Sequence, residues 1–338
     1  MFLCFAVCTP ARAQSDEVQL PPAPPRFEVQ TFTMSSRYRI VENSDDHVTS
    51  NHVQFKDVFR ARLNVDRQQR FTINVGAGTG SSFTSSWDAT GIGTGAPSAN
   101  MYVKQLYGAV APVRGLELQL GGLYVNHGEN TEVTSYDDDG YVMGERITLR
   151  RPSLAYFDEI SVTRAALSSI DMPGVIRRLK LFAHQNYWQA QVVKHVGGSI
   201  SASADFTDVS GVETLRAAVA IHLPKGAPLS AVRFEQYRRV TMDPAYGFAV
   251  VGERPITTHA RLQAGYATID PQYGGLNADR IQRGQRVFGM ATIPVMRELN
   301  VQLFATQAFG NDFPVTNRTR FDAVVTYDAL TAIRRHRR

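Results

Sequence analysis

The chain has 338 residues, 43% of them hydrophobic and 20% charged, with a formal net charge of +5. Its mean hydropathy is −0.21, and no run approaches the ~18 consecutive apolar residues of a membrane-spanning helix, which excludes a helical membrane protein. Arg334, Arg335, Arg337 and Arg338 supply +4 of the charge and Arg12 supplies +1, so the body (+5 − 4 − 1) is close to neutral and nucleic acid is not an expected partner.

Met1 to Cys8 is a short apolar run, followed by Ala11-Arg12-Ala13-Gln14. This is similar to the end of a secretory signal with an A-x-A cleavage site, so residues 1–13 are expected to be a signal peptide. It lacks the usual positive n-region, which points to a translation start further upstream. Phe5-Ala6-Val7-Cys8 fits a lipoprotein box poorly. Both cysteines lie in this segment, so the mature chain offers no disulfide or thiolate chemistry. Residues 14–26, with Pro21, Pro22, Pro24 and Pro25, read as an extended leader that packs on nothing.

From Phe27 onward the chain alternates. Expected strands run over Phe27–Val41, Val53–Val65, Phe71–Phe83, Met101–Ala111 and Leu116–Leu120. In the second, Phe59, Ala61, Leu63 and Val65 share one face while Arg60, Arg62 and Asn64 share the other, and the short turn Asp66–Arg70 makes its successor an antiparallel neighbour. Later strands repeat the pattern, as in Leu215/Ala217/Val219/Ile221 against Arg216 and His222, or Phe321/Ala323/Val325/Tyr327 against Arg320, Asp322 and Asp328.

Proline has no N–H to give a ladder, so Pro112, Pro224 and Pro294 mark tight turns at strand ends. Placing all three on one rim requires even strand numbers between them. The alternating runs give four strands before Pro112, six to Pro224, four to Pro294 and two after, about sixteen in all. Short turns are also expected at Arg151–Ser153, Val196–Gly198 and Glu253–Ile256. Longer loops are expected at Ser85–Ser98, Gly128–Gly140, Leu167–His184, Thr241–Pro244 and Asp270–Gly284, with one short helix within Gly174–Gln185. Short turns on one rim and long loops on the other is the asymmetry of a transmembrane barrel. A soluble sandwich would show the same alternation. The export signal, the strand number and runs of about 9–13 residues, against the ~5–6 usual in soluble sheets, favour an all-β transmembrane antiparallel barrel over residues 27–333, followed by a basic tail, 334–338.

Most candidate chemical sites have plainer explanations. Gly76-Ala77-Gly78-Thr79-Gly80 lacks the spacing and following helix of a dinucleotide loop, and reads as a bend or close backbone approach. Tyr136-Asp137-Asp138-Asp139-Gly140 does not match a calcium loop and reads as a solvated acidic loop. His184, His195, His222 and His259 are dispersed, and no G-x-S-x-G elbow occurs, so neither metal nor cofactor is expected and no catalytic residue stands out. The informative residues are Lys56, Arg60 and Arg62 on one polar face, with Arg216, Arg233, Arg261 and Arg320 on the polar faces of other strands. A lipid-facing arginine at mid-depth costs ~2–4 kcal/mol, so in a barrel these seven must line a wet interior.

With strand number, rim asymmetry and inward basic residues in hand, the chain resembles the general porins of outer membranes over nearly all its mature length. The resemblance implies an outer-membrane channel in a Gram-negative-type bacterium that passes small polar solutes and is not an enzyme. It also implies lipid and lipopolysaccharide neighbours, insertion by the barrel assembly machinery and a homotrimer. In that family the third external loop folds into the barrel, facing an arginine cluster with acidic residues. By position this is Gly128–Gly140, with Glu129, Glu132, Asp137, Asp138 and Asp139. Such barrels end on an aromatic residue, whereas Tyr327 is the last aromatic here and a basic segment follows. The charge set leads us to expect a weak anion preference. An outer-membrane barrel hydrolase and a non-pore exported barrel with a binding or structural role are the alternatives.

Overall fold

A computed structural model describes residues 25–83, 85–94, 99–129, 141–150, 156–167, 172–241, 244–257, 260–270, 283–309 and 318–336. The expected signal peptide, most of the leader and the Arg151–Ser153 turn lie outside them. The first eight strands are β1 (Phe27–Glu42), β2 (Val48–Asn64), β3 (Phe71–Gly78), β4 (Tyr102–Val113), β5 (Leu116–Tyr124), β6 (Tyr141–Arg150), β7 (Glu159–Ala166) and β8 (Tyr187–Val196). The second eight are β9 (Ile200–Val209), β10 (Val212–His222), β11 (Ala231–Arg239), β12 (Ala245–Pro255), β13 (Arg261–Ile269), β14 (Gly284–Met296), β15 (Leu299–Phe309) and β16 (Thr319–Asp328). A short helix, α1 (Val175–Arg178), stands between β7 and β8, and α2 (Ala329–His336) follows β16.

Each strand pairs antiparallel with the next, and β16 returns to β1 from Thr33↔Asp328 to Glu42↔Thr319. The sheet is a closed barrel of sixteen strands. Closure pairs the first and last strands, so neither is an edge strand. It also decides between sandwich and barrel, because the apolar set is on the outside. Leu63, Leu118, Leu120, Ile147, Phe234, Val250, Leu303 and Tyr327 are exposed, whereas Arg37, Gln54, Asn74, Arg146, Asp205, Glu235 and Asp322 are buried on the alternate, inward positions. The inner face is not polar throughout. On β11–β15 it carries Tyr237, Ala249, Ala267, Ile269 and Phe304 in one packed cluster, with Phe288 and Met290 against it.

The prolines divide the strands as four, six, four and two. Connections at one rim are residues 65–70, 114–115, 151–158, 197–199, 223–230, 256–260 and 297–298; at the other they include 79–101, 125–140, 167–186 and 270–283. Three connections at that second rim are short instead: residues 43–47, 210–211 and 240–244. The tightest, Ser210-Gly211, joins β9 to β10 with φ of 54° and 85°, both left-handed as the tightest hairpin turns require.

Four local expectations are corrected. The third strand stops at Gly78 rather than Phe83, because residues 79–93 leave the sheet on an excursion described below. The loop expected at Thr241–Pro244 is short, the connection being residues 240–244. The leader's last two residues are tied down, since Asn64 donates to Pro25 O at 2.8 Å and the Asn64 amide to Arg26 O at 2.7 Å. The last strand ends at Asp328, and residues 329–333 belong to α2 instead of the barrel wall. Asp328 caps that helix, accepting from the Thr331 amide at 3.0 Å and the Thr331 hydroxyl at 2.7 Å.

Candidate functional site

Lys56, Arg60 and Arg62 lie on the inward positions of β2 with Gln54 and Asn64, and β1 adds Arg37 and Arg39 beside them. Arg37 donates twice to Gln54 Oε1, at 3.1 and 2.5 Å, and Arg62 donates to Asn74 Oδ1 at 3.1 Å. The Arg60 guanidinium lies 4.8 Å from the centre of the Tyr124 ring, and its buried Nε has no hydrogen-bond partner. Arg60 and Arg62 are thus fixed in place by a ring and an amide oxygen, which do not neutralise them. Arg320 differs: Asp322, on the same strand, takes it at 2.5 Å and also takes Arg39 across the β1–β16 seam at 2.9 Å.

The remaining predicted cations do not join this strip. Arg216 faces Asp205 directly across the β9–β10 ladder, 2.8 Å away, and also donates to Thr207 Oγ1. Arg233 sits half-buried on β11 with an unpartnered Nε. The Arg261 side chain, 73% exposed, is at the short-turn rim 3.8 Å from Glu253. Of the acidic set, Glu129 is described; Glu132, Asp137, Asp138 and Asp139 lie outside the described residues.

Three connections from the long rim turn inward. After β5 the chain runs along the inner wall: Asn126 donates to Ser161 Oγ, its carbonyl accepts from Gln189 Nε2, and the Glu129 amide donates to Ser203 Oγ, all at 2.7–2.8 Å. Ser161, Gln189 and Ser203 are buried inward positions of β7, β8 and β9. A cavity of about 580 Å³ opens there, with Asn126, Glu129, Glu159, Gln191 and His195 in its lining. The connection after β7 carries α1, continued by a 3-10 turn over Leu179–Leu181 within the expected Gly174–Gln185, and Val175 packs where a Cβ on Gly122 would stand only 2.5 Å from its methyl. Its Arg178 lies 3.8 Å over the Phe83 ring, donates to Met172 O at 2.7 Å, and is pulled down to about 10 by burial, which leaves it cationic at neutral pH. Phe83 belongs to the third inward connection, after β3, and also meets Tyr141 at 5.4 Å.

Arg37, Arg39, Arg146 and Arg178 are therefore wall or lumen cations that the sequence did not single out. Arg37 and Arg39 carried a period-two signal, alternating with Tyr38 and Ile40; Arg178 carried none.

No family model matches the chain, and no curated protein matches it. Solved structures do. A variant of the Rh. blastica porin superposes with a TM-score of 0.58 at 10% identity, over 89% of this chain and 100% of that one. OmpF of Salmonella typhi, in complex with daunomycin, gives 0.58 at 12% identity, over 89% and 97%. The fold is that of the porins. Within the porin fold, this chain places two further connections, those after β3 and β7, against each other through Phe83 and Arg178.

Proposed function

We propose that the chain forms a water-filled channel in an outer membrane and passes small polar solutes by diffusion. The observation that carries this is the inverted distribution of side chains in a closed ring, apolar outside and charged inside. Such a surface is stable in lipid, and such a lumen is stable only when wet. Arg60 and Arg62, held by the Tyr124 ring and the Asn74 amide oxygen rather than by a carboxylate, leave fixed positive charge on the β2 wall, which raises the local anion concentration. Arg216, tied to Asp205, and Arg320, tied to Asp322, add little, so the preference for anions is weak. The connection through Asn126–Glu129, tied to the inner wall of β7, β8 and β9, narrows the lumen on that side and brings the Glu129 carboxylate into it. Export through residues 1–13, assembly by the barrel machinery among lipid and lipopolysaccharide, and association into a trimer belong to the same reading.

The test is a planar-bilayer recording with a tenfold salt gradient across it. Wild type should conduct and show a small reversal potential of anionic sign; Arg60→Ala with Arg62→Ala should reduce it. A protein that inserts without conducting would end the channel reading, and a cation-selective wild type would end the anion preference.

A further inference from the structure

The connection after β3 does more than join two strands. β3 stops at Gly78, which leaves the upper edge of β2 without a neighbour, and residues 79–92 supply one. The Asp57 amide donates to Thr79 Oγ1 at 3.1 Å, the Phe55 amide donates to Thr90 Oγ1 at 3.2 Å, and Val53 and Ile92 exchange both backbone bonds at 3.1 and 2.8 Å. Each hydroxyl passes its own proton on, Thr79 to Ser86 O at 3.0 Å and Thr90 to Trp87 O at 2.8 Å. Lys104 closes the excursion from the β4 side, donating to Ser82 O and Ser85 O, both at 2.7 Å. The return needs Gly91: its φ is +83°, and a Cβ there would stand 1.9 Å from Val53 O.

The segment thus held presents Trp87 to the basic wall. Gln54 Nε2 donates to Trp87 O at 3.0 Å, the Arg37 guanidinium stands 4.3 Å from the indole centre, and Lys56 Nζ stands 5.6 Å from it. An indole face attracts cations and is the strongest such partner among the side chains. It therefore covers two of the fixed charges and adds a wide, uncharged group to the lumen in front of them.

We propose that Trp87 is a specificity-determining residue: it narrows the channel at its basic wall and screens Arg37 and Lys56 from passing anions. The proposal rests on the channel reading. Its test compares wild type, Trp87→Phe and Trp87→Ala in planar bilayers. Trp87→Ala should raise the single-channel conductance and shift the reversal potential towards anions, and Trp87→Phe should fall between. The second arm needs no conductance. The chain has two tryptophans, and the other, Trp188, is exposed on the outer face at 46%. In the Trp188→Phe background, the ratio of iodide to caesium quenching of Trp87 emission should exceed that of free N-acetyltryptophanamide, because the neighbouring cations concentrate anions. A ratio no higher than that of the free amide, or a conducting wild type matched by an unchanged Trp87→Ala, overturns the proposal while the channel reading stands. A wild type that does not conduct removes both.

Discussion

Arg216 and Asp205 are both almost wholly buried, at 5% and 0% side-chain exposure, and the contact is 2.8 Å. Neither charge has bulk water around it, so the carboxylate and the Thr207 hydroxyl replace hydration for the guanidinium. Removing one partner of such a pair strands the other, at about 3–5 kcal/mol. Asp205→Ala is accordingly expected to lower the free energy of unfolding from lipid by that amount, read as a lower urea midpoint, while Asp205→Glu keeps most of it. An unchanged midpoint in Asp205→Ala would show that the pair contributes nothing. Asp66 illustrates the exposed regime. It lies in the β2–β3 turn, where the Phe71 amide donates to its Oδ1 at 2.8 Å and holds its carboxyl below the usual carboxylate range. A depressed value in the folded turn means that the contact stabilises above the unfolded value and is lost as pH falls through the folded one. The Phe71 amide shift should therefore titrate below an ordinary aspartate, and not at all in Asp66→Asn; a midpoint at or above the ordinary value contradicts this.

At the scale of elements, two segments finish what strands leave undone. The connection after β3 completes the upper edge of β2, and α2 closes the short-turn end next to β1. α2 carries Arg334, whose Nη2 donates to Val29 O at 3.0 Å, and Arg335, which pairs with the buried Glu298 carboxylate at 3.1 Å. Residues 334–336 of the expected basic tail thus belong to a docked helix, with their cations in its last turn where the helix dipole favours them. Its start depends on Asp328. Asp328→Ala should cost the helix about 1 kcal/mol, seen as faster amide exchange over residues 329–333 with the β15–β16 pairing unchanged. Equal exchange in both proteins would mean that Arg334 and Arg335 hold the helix without its cap.

For the whole molecule the ring sets the topology, since an even number of antiparallel strands puts both ends of the chain at one rim. The β2–β3 turn and the N-terminal side of β1 share that rim with α2, and the inward-folding connections leave from the other. With the long-connection rim outside, cysteine at Asp45, in the exposed β1–β2 connection, should react with an impermeant maleimide on intact cells. Cysteine at Gln68 should react only after the envelope is opened. Labelling at Gln68 alone would invert the orientation, and labelling at both would break the membrane assignment.

Strand number, strand parity and the two rims were legible in the sequence by itself. A barrel sorts every side chain inward or outward with a period of two, so each strand reports its own orientation locally and the prolines count strands between turns. The basic positions of β2 were legible for the same reason. Their pairing was not. Asp322 meets Arg39 across 283 positions of sequence, and Asp205 meets Arg216 only because the β9–β10 register sets them opposite. Which cations keep a net charge is fixed by the offset of one strand against the next, to which neither strand alone is sensitive. The paths of the long connections also escaped, because their hydrogen bonds go to distant inner-wall side chains and to the vacant edge of β2. Polar loops heading into water and polar loops lining a wet lumen have the same composition. Only the closed ring, by enclosing an interior that is itself polar, makes the second destination available.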